Sequence, residues 1–313
     1  MSTTRIAIVG AGLAGLACAT ALVQAGQRVS LFDKARGPGG RMSTRRIQTV
    51  QGMVAFDHGA QYFTARDPAF QDQLQQWAAV GLVAPWPAAG EGAWVGVPTM
   101  NSPLKHLADA VEARWCARVD ALSRYGTRWR LVGDPLDDET YDHVLVALPA
   151  EQAAALLAPV DAEMAMRAVH TPSAPCWTVM VAFPCALPII EDTLRDPMVV
   201  GWAARNSAKP GRAGPESWVL QATPDWSLAH LEDQPTKVLD ALLRAFSERA
   251  GITLPPPLVA TTHRWRYARS GAEGTGALWN PRLGVGACGD WLLGPRVECA
   301  WLSGTRLAAA VLA

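Results

Sequence analysis

Lysine is scarce in this chain of 313 residues: only Lys34, Lys105, Lys209 and Lys237 occur among 28 basic side chains, set against 28 acidic ones for a formal net charge of zero. That balance argues against electrostatic capture of nucleic acid or of an anionic membrane surface. The local basic cluster Arg41, Arg45 and Arg46 reads as a solvated or phosphate-facing loop. Cysteines Cys18, Cys116, Cys176, Cys185, Cys288 and Cys299 show no paired spacing, so reduced, buried, structural thiols are expected rather than a disulfide framework. None of the six histidines stands at ligand spacing from a cysteine or a second histidine, which leaves no zinc signature and no metal call. No apolar run reaches the ~20 residues that a membrane span needs. The nearest, Ile6 to Val23, is rich in glycine and alanine with only Arg5 charged ahead of it, so neither a span nor a signal peptide is expected. The chain reads as a cytoplasmic protein that keeps its N-terminus, without internal repeats or low-complexity tracts.

What is present begins at once. The run Arg5-Ile-Ala-Ile-Val leads into Gly10, Ala11, Gly12, Leu13 and Gly15, a strand, glycine turn and helix in that order. Gly10 permits the tight turn, Gly12 lets backbone approach a pyrophosphate, and Gly15 lets the helix pack on the sheet; the helix N-terminus then offers N–H groups to the anion. With 27 glycines in the chain, this spacing is expected by chance about 0.2 times, so context must carry the assignment. The context is there: Leu13 to Val23 has helical character, Val29 to Phe32 is a second strand, and Asp33 ends it where an acid accepts a ribose hydroxyl. A second match at Gly284, Gly286 and Gly289 lies in and directly after the apolar run Leu283 to Cys288 and reads as a glycine-rich strand.

Half of the residues are hydrophobic, enough for a large core and for two domains. Helices are expected over Asp67 to Val80, Ser102 to Ala113 (with Asn101 or Ser102 as cap, or Met100 and Asn101 closing a pocket) and Glu151 to Leu157, and a buried strand from Tyr141 to Leu148, ended by Pro149. From Ala162 to Ala277 the pattern changes to strands such as Trp177 to Phe183 and Trp218 to Ala222, with one helix at Thr236 to Ala250; the tail then returns to strand, loop and helix. The expected fold is α/β: a discontinuous Rossmann-like dinucleotide-binding domain (1–64, 98–161 and 278–313), which the family resemblance below implies to be FAD-binding, with an inserted α+β domain (65–97 and 162–277) on the substrate side.

Three local features carry a family resemblance: the fingerprint with Asp33, the Gly39-Gly40-Arg41 loop, and Gly289-Asp290 followed by Gly294, Val297-Glu298 and Ser303-Gly304. In this arrangement the chain resembles the two-domain FAD-dependent amine oxidase superfamily over nearly its whole length. Asp57-His-Gly-Ala-Gln-Tyr-Phe-Thr and Thr262-His-Arg-Trp-Arg-Tyr resemble elements of the renalase family, the first passing beneath the isoalloxazine. The resemblance implies a flavoenzyme that oxidises isomeric dihydro-NAD(P), chiefly the 1,6-dihydro form with the 1,2-dihydro form as a second candidate, and reoxidises with O2 to hydrogen peroxide. Its FAD would be non-covalent, because no Ser-Gly-Gly-Cys-Tyr segment is present. None of the four lysines can be placed at the flavin-side lysine that many amine oxidases carry.

The cofactor contacts so implied are Gly10, Ala11, Gly12, Leu13, Gly15, Asp33, Lys34, Gly40, Arg41, Met42, His58, Gly59, Val119 on the adenine side, Asp290 and Val297. Substrate contacts are Ala60, Gln61, Tyr62, Phe63, Trp265 and Arg296. The helix starting near Val297 would direct its positive end at the flavin, and that dipole alone accounts for Glu298 in its first turn. No catalytic side chain is assigned: a dihydropyridine that gives up hydride regains aromaticity, so holding it against the flavin suffices. His263, Trp265 and Tyr267 alternate with Arg264 and Arg266 and should share one strand face. An amine oxidase, a desaturase, a flavin-binding protein without turnover and an NAD-dependent dehydrogenase all stay open at this level.

Overall fold

A computed structural model describes residues 4–313. Strand β1 (Arg5–Val9) enters α1 (Leu13–Gln24) through the glycine turn and returns as β2 (Arg28–Asp33), parallel to β1 with Arg5 beside Arg28. Sterics enforce the turn. Gly10 has φ +111°, and a Cβ there would stand 2.4 Å from the Ala147 carbonyl oxygen; a Cβ on Gly15 would stand 2.0 Å from the carbonyl oxygen of Gly10. The hairpin of β3 (Thr44–Thr49) and β4 (Gly52–Asp57) follows, then α2 (Pro68–Ala79), where Asp67 caps by accepting from the Ala69 N–H at 2.9 Å. Strands β5 (Val83–Pro85) and β6 (Trp94–Gly96) make a second short hairpin.

Helix α3 (Ser102–Ala108) ends five residues before the expected Ala113. The Ala110 and Val111 N–H groups turn back onto Leu107 and Ala108 at 3.3 and 3.2 Å, and β7 (Glu112–Trp115) becomes a parallel edge strand on β2. Helical spacing in a short window cannot register the open edge of β2, whose backbone groups need a partner. Neither expected cap operates through its side chain: Asn101 accepts from Thr99 Oγ1 at 2.8 Å and donates to the Pro38 carbonyl at 3.4 Å, while Ser102 Oγ accepts from the Thr99 N–H at 3.2 Å.

Strands β8 (Arg118–Tyr125), β9 (Arg128–Asp134) and β10 (Thr140–Tyr141) form an antiparallel meander, and β11 (His143–Val146) rejoins the parallel sheet. The single strand expected from Tyr141 is thus divided at Asp142, whose carboxylate accepts from the Arg5 N–H at 2.8 Å. Helices α4 (Ala150–Leu157) and α5 (Ala162–Val169) lead to a separate antiparallel sheet of β12 (Ala174–Ala182), β13 (Thr193–Leu194), β14 (Trp202–Arg205), β15 (Ser217–Gln221) and, after α6 (Pro224–Ala229) and α7 (Pro235–Ala250), β16 (Val259–Arg269). Its order is β13-β14-β15-β12-β16. One face, with Trp177, Val179, Val181, Trp218 and Leu220, packs on Val238, Leu242 and Phe246 of α7. Each such large side chain contributes about 1.5–3 kcal/mol by leaving water.

The tail supplies β17 (Leu278–Asn280), β18 (Val285–Ala287) and α8 (Val297–Leu312), completing a six-stranded sheet in the order β17-β18-β11-β1-β2-β7. Only β17 runs antiparallel to its neighbour. Helix α8 lies directly on α1: a Cβ on Gly304 would stand 2.1 Å from the Ala14 carbonyl oxygen. Helix α2 and the second hairpin pack into the same core as α1 and α3. All six cysteines are free, and two depart from the expected burial: Cys116, at a turn with φ +56°, and Cys185, in the loop after β12, are exposed.

Candidate cofactor and substrate site

The C-terminal ends of β1 and β2 open onto a notch floored by glycine. Gly12 is the N-cap of α1 with no side-chain cap, and a Cβ built on it meets nothing within 4 Å. A Cβ on Gly40 would stand 3.3 Å from Gly12 Cα, so the two glycine segments lie tightly against each other, tied by the Gly39 N–H to the Ala11 carbonyl at 3.3 Å, while the space in front of Gly12 stays open. Gly10 and Gly15 are glycine because protein backbone occupies the alternative; Gly12 is glycine although the protein itself leaves room. A notch with free N–H groups and no side chain fits a pyrophosphate. Asp33 stands at its edge, accepting from the Ala11 N–H at 2.6 Å and the Ala35 N–H at 2.7 Å, with Lys34 exposed beside it. The Cys116 and Ala117 N–H groups bind the Ala35 and Asp33 carbonyls at 2.8 and 2.9 Å, which brings Val119 alongside the end of β2.

Arg41 and Asp290 depart from the separate contacts expected of them. They bind each other through two hydrogen bonds of 2.8 and 2.6 Å, a bidentate pair joining the Gly39-Gly40-Arg41 loop to the C-terminal segment. Sequence places these residues 249 positions apart, and only the closing of the sheet gives each a counter-charge. Met42 beside Arg41 is buried in the core of α1. The N-terminus of α8 is also without a side-chain cap, so Val297 and its neighbours present free N–H groups. Glu298 does more than answer the helix dipole: it is 1% exposed and accepts from the Arg66 and Asp67 N–H groups at 2.5 and 2.7 Å. Its other oxygen pairs with Arg296 at 2.9 Å, whose side chain is 45% exposed.

The segment from Asp57 to Phe63 lies between the notch and the inner face of the five-stranded sheet. Register puts Trp202 and Gln221 opposite one another, Gln221 opposite Thr178, Thr178 opposite His263 and Cys176 opposite Trp265, so these side chains share that face. Trp265 donates to the His58 carbonyl at 2.9 Å and stacks on the His58 ring at 5.1 Å. His263 meets Trp265 edge to face at 4.3 Å. Gln221 donates to the Gly59 carbonyl at 2.7 Å, Tyr62 tilts against Trp202 at 5.4 Å, and the Ala60 N–H binds the Arg41 carbonyl at 2.8 Å. Arg264 and Arg266 point the other way, onto Glu232, as the alternation predicts.

Two expected substrate contacts do not reach the open face. Phe63 is 4% exposed and packs against Phe70, and Gln61 is 5% exposed with its amide turned inward to Asp57, Gly59 and Lys209. Residues adjacent along an extended segment alternate in direction, and here Tyr62 takes the open side. Burial, reinforced by the His263 and Arg45 charges, lowers the His58 pKa to about 4; burial and Arg45 lower that of His263 to about 4 as well. Both rings are therefore neutral near pH 7. His58 Nδ1 and Trp202 Nε1 are buried without a hydrogen-bond partner, polar atoms left over for a bound group. Trp202, Gln221 and Thr178 escaped the sequence reading because alternation within a strand names a face without saying what that face looks at.

Among the described residues no group of three or more histidine, cysteine, aspartate or glutamate side chains is placed to hold a metal, and no helix is long and apolar enough to cross a membrane. A largely parallel sheet with a glycine notch is set against an antiparallel sheet with an aromatic inner face, and the family match places this arrangement among the FAD-dependent oxidoreductases. Residues 8–77 match the model of NAD(P)-binding Rossmann-like domains and residues 78–312 that of flavin containing amine oxidoreductases, and the chain belongs to the latter family.

Solved structures of similar fold include a putative protoporphyrinogen oxidase from Exiguobacterium sp. 255-15 (16% identity, TM-score 0.73, 99% of each chain). Cyclohexylamine oxidase from Brevibacterium oxydans IH-35A is another (14% identity, TM-score 0.71, 99% of this chain and 98% of that one). Wild-type putrescine oxidase bound to putrescine is a third (12% identity, TM-score 0.70, 99% of each chain). A curated relative from Thiobacillus denitrificans, the bifunctional protein MnmC of tRNA 5-methylaminomethyl-2-thiouridine biosynthesis, is 32% identical over 86 residues. That match spans 28% of this chain and 14% of the relative's length.

Proposed function

We propose that the chain is an FAD-dependent oxidase of the renalase type, acting on isomeric dihydronicotinamide dinucleotides, chiefly the 1,6-dihydro and secondly the 1,2-dihydro forms. In this reading residues 1–64, 98–161 and 278–313 hold FAD non-covalently, and 65–97 and 162–277 shape the substrate side; residues 1–3 lie outside the described ones. When bound, the flavin supplies a hydride acceptor that returns its two electrons to O2, so that dihydro-NAD(P), a proton and O2 give NAD(P)+ and hydrogen peroxide. The chain's own task is then to bind and orient. The Gly12–Gly40 notch and the α1 N-terminus would take the pyrophosphate, Asp33 a ribose, and the N-terminal end of α8 would favour negative charge developing on the ring system.

The observation that carries the reading is the character of the inner sheet face. Trp202, Gln221, Thr178, His263 and Trp265, with His58 and Tyr62 against them, form an aromatic and amide wall with two neutral histidines and no carboxylate at those register positions. Such a wall suits a neutral planar ring whose carboxamide needs donors and acceptors, and it offers a protonated amine no counter-ion. The test is anaerobic mixing of the oxidised holoenzyme with borohydride-reduced NAD, which contains the isomers, and separately with simple amines. Rapid flavin bleaching by the isomer mixture alone supports the proposal; bleaching by amines, or by neither, overturns it.

Trp265→Ala is expected to keep flavin bound and to lower kcat/KM for the isomer mixture by about 10- to 70-fold. A hydrogen bond of ~1 kcal/mol and an aromatic contact of ~0.5–1.5 kcal/mol are lost together. Stopped-flow reduction measures this directly, and unchanged kinetics would show that Trp265 serves packing alone.

A further inference from the structure

Beneath the Asp57 to Phe63 segment lies a charged cluster that the proposed chemistry does not use. The side chains of Lys209 and Asp57 are each 0% exposed and that of Arg212 2%. Lys209 Nζ donates to Gln61 Oε1 at 3.1 Å and pairs with Asp57 Oδ2 at 3.5 Å, with the Trp86 ring 5.3 Å away. Arg212 pairs with the same carboxylate oxygen and also donates to the Gly96 and Pro210 carbonyls at 2.6 and 2.7 Å. The other oxygen of Asp57 accepts from Thr44 Oγ1 at 2.8 Å and the Met100 N–H at 3.0 Å. Two cations thus share one anion in a site closed to water, and the surplus charge has a polar neighbour in Gln61.

We propose that Lys209 is a positioning residue whose buried ammonium holds the Gln61 amide in one orientation and so fixes the His58-Gly59-Ala60 backbone that faces the flavin. An ammonium only donates, so Gln61 must turn its oxygen to Lys209. Its nitrogen is then directed at the Asp57 and Gly59 carbonyls, at 2.5 and 3.0 Å, which curls the segment into its turn. Gly59 in turn takes the Gln221 bond, and Ala60 binds Arg41. The chain from Lys209 to the flavin-facing backbone is therefore continuous hydrogen bonding. Burial, with the Arg212 charge opposing and Asp57 favouring the proton, brings Lys209 down to about 8. The anchor is charged at neutral pH and discharges in mildly alkaline solution.

This inference rests on the reading that the segment faces a bound flavin, and its test separates the two. In the holoprotein the absorption band of the flavin is expected to shift in one step with a midpoint near pH 8 in a titration from about pH 6.5 to about pH 9.5. Lys209→Met should show the alkaline form throughout and Lys209→Arg the neutral-pH form throughout. A step that survives in both variants, or no step in the wild type, overturns the proposal. Hydrogen exchange of residues 57–63 in the apoprotein gives a second readout that needs no flavin. Exchange in Lys209→Met at pH 7 should run about tenfold or more above wild type after correction for intrinsic rate, with Lys209→Arg close to wild type; equal protection in all three sinks the anchor. If the wild type takes up no flavin, the oxidase reading falls while the exchange result still decides the role of Lys209. Should Lys209→Met fail to fold, Lys209→Arg carries the titration.

Discussion

A Gly12→Val protein is expected to fold, to melt with the wild-type apoprotein and to emerge from purification colourless. The structure separates the three fingerprint glycines by what a side chain would strike. At Gly12 an added Cβ meets nothing within 4 Å, whereas at Gly15 it lies 2.0 Å from the Gly10 carbonyl and at Gly10 it lies 2.4 Å from the Ala147 carbonyl. Gly12 also has φ −74° and ψ 176°, a conformation open to any residue, so the apoprotein carries no strain. The branched side chain would project into the open space assigned here to the pyrophosphate, and FAD affinity should fall by at least ~100-fold, a loss of ~2.7 kcal/mol. Flavin stoichiometry and apoprotein melting are the measurements. Gly15→Ala is the contrast: it should lower the melting temperature before any cofactor is added. Stoichiometric flavin in Gly12→Val would show that the notch is not the cofactor site.

Asp57→Ala should remove about 3–5 kcal/mol of stability, because it leaves Lys209 and Arg212 buried without an anion. The loss falls at a junction. Asp57 joins β3 through Thr44, the Met100 loop, and the 206–212 loop of the five-stranded sheet, and its N–H donates to Asn206 Oδ1 at 3.2 Å. Urea denaturation measures the effect, and a loss below ~1 kcal/mol would mean that water reaches the cluster. The pH dependence has a definite sign. Burial alone would raise the Asp57 carboxyl, but the Lys209 and Arg212 charges and the hydrogen bonds outweigh it and hold the group below its ordinary value. A carboxyl depressed in the folded state contributes stability above its unfolded pKa of ~3.9 and loses it as pH falls through the depressed value. The gap between wild type and Asp57→Asn should accordingly narrow in acid below about pH 4.

The legible parts of this chain were those where one local property leaves a periodic mark. Strand, glycine turn, helix and terminal acid stand in order over residues 5–33, and alternation in β16 put Trp265 with His263 and the arginines opposite, as observed. The reading failed where a partner distant in sequence decided the outcome. Glu112 to Trp115 is strand because β2 had an open edge, and Phe63 is core because Phe70 of α2 packs against its side of the segment. Arg41 and Asp290 were each read alone and proved to be a pair. Lys209 looked like one lysine among four, since nothing in its neighbours along the chain announces complete burial beside an aspartate 152 positions earlier.

By itself, then, the sequence determined the dinucleotide unit and its place at the N-terminus, because backbone geometry at Gly10 and Gly15 admits no other residue and hydrophobic alternation over a strand or helix is a local matter. Tertiary structure alone decided which side of the Asp57 to Phe63 segment is open, that Trp202 and Gln221 share its wall with Trp265, and that a buried lysine stands beneath it. Those outcomes depend on which strand lies against which and on where a charge finds its counter-charge, and both are settled by contacts across the fold rather than by spacing along the chain.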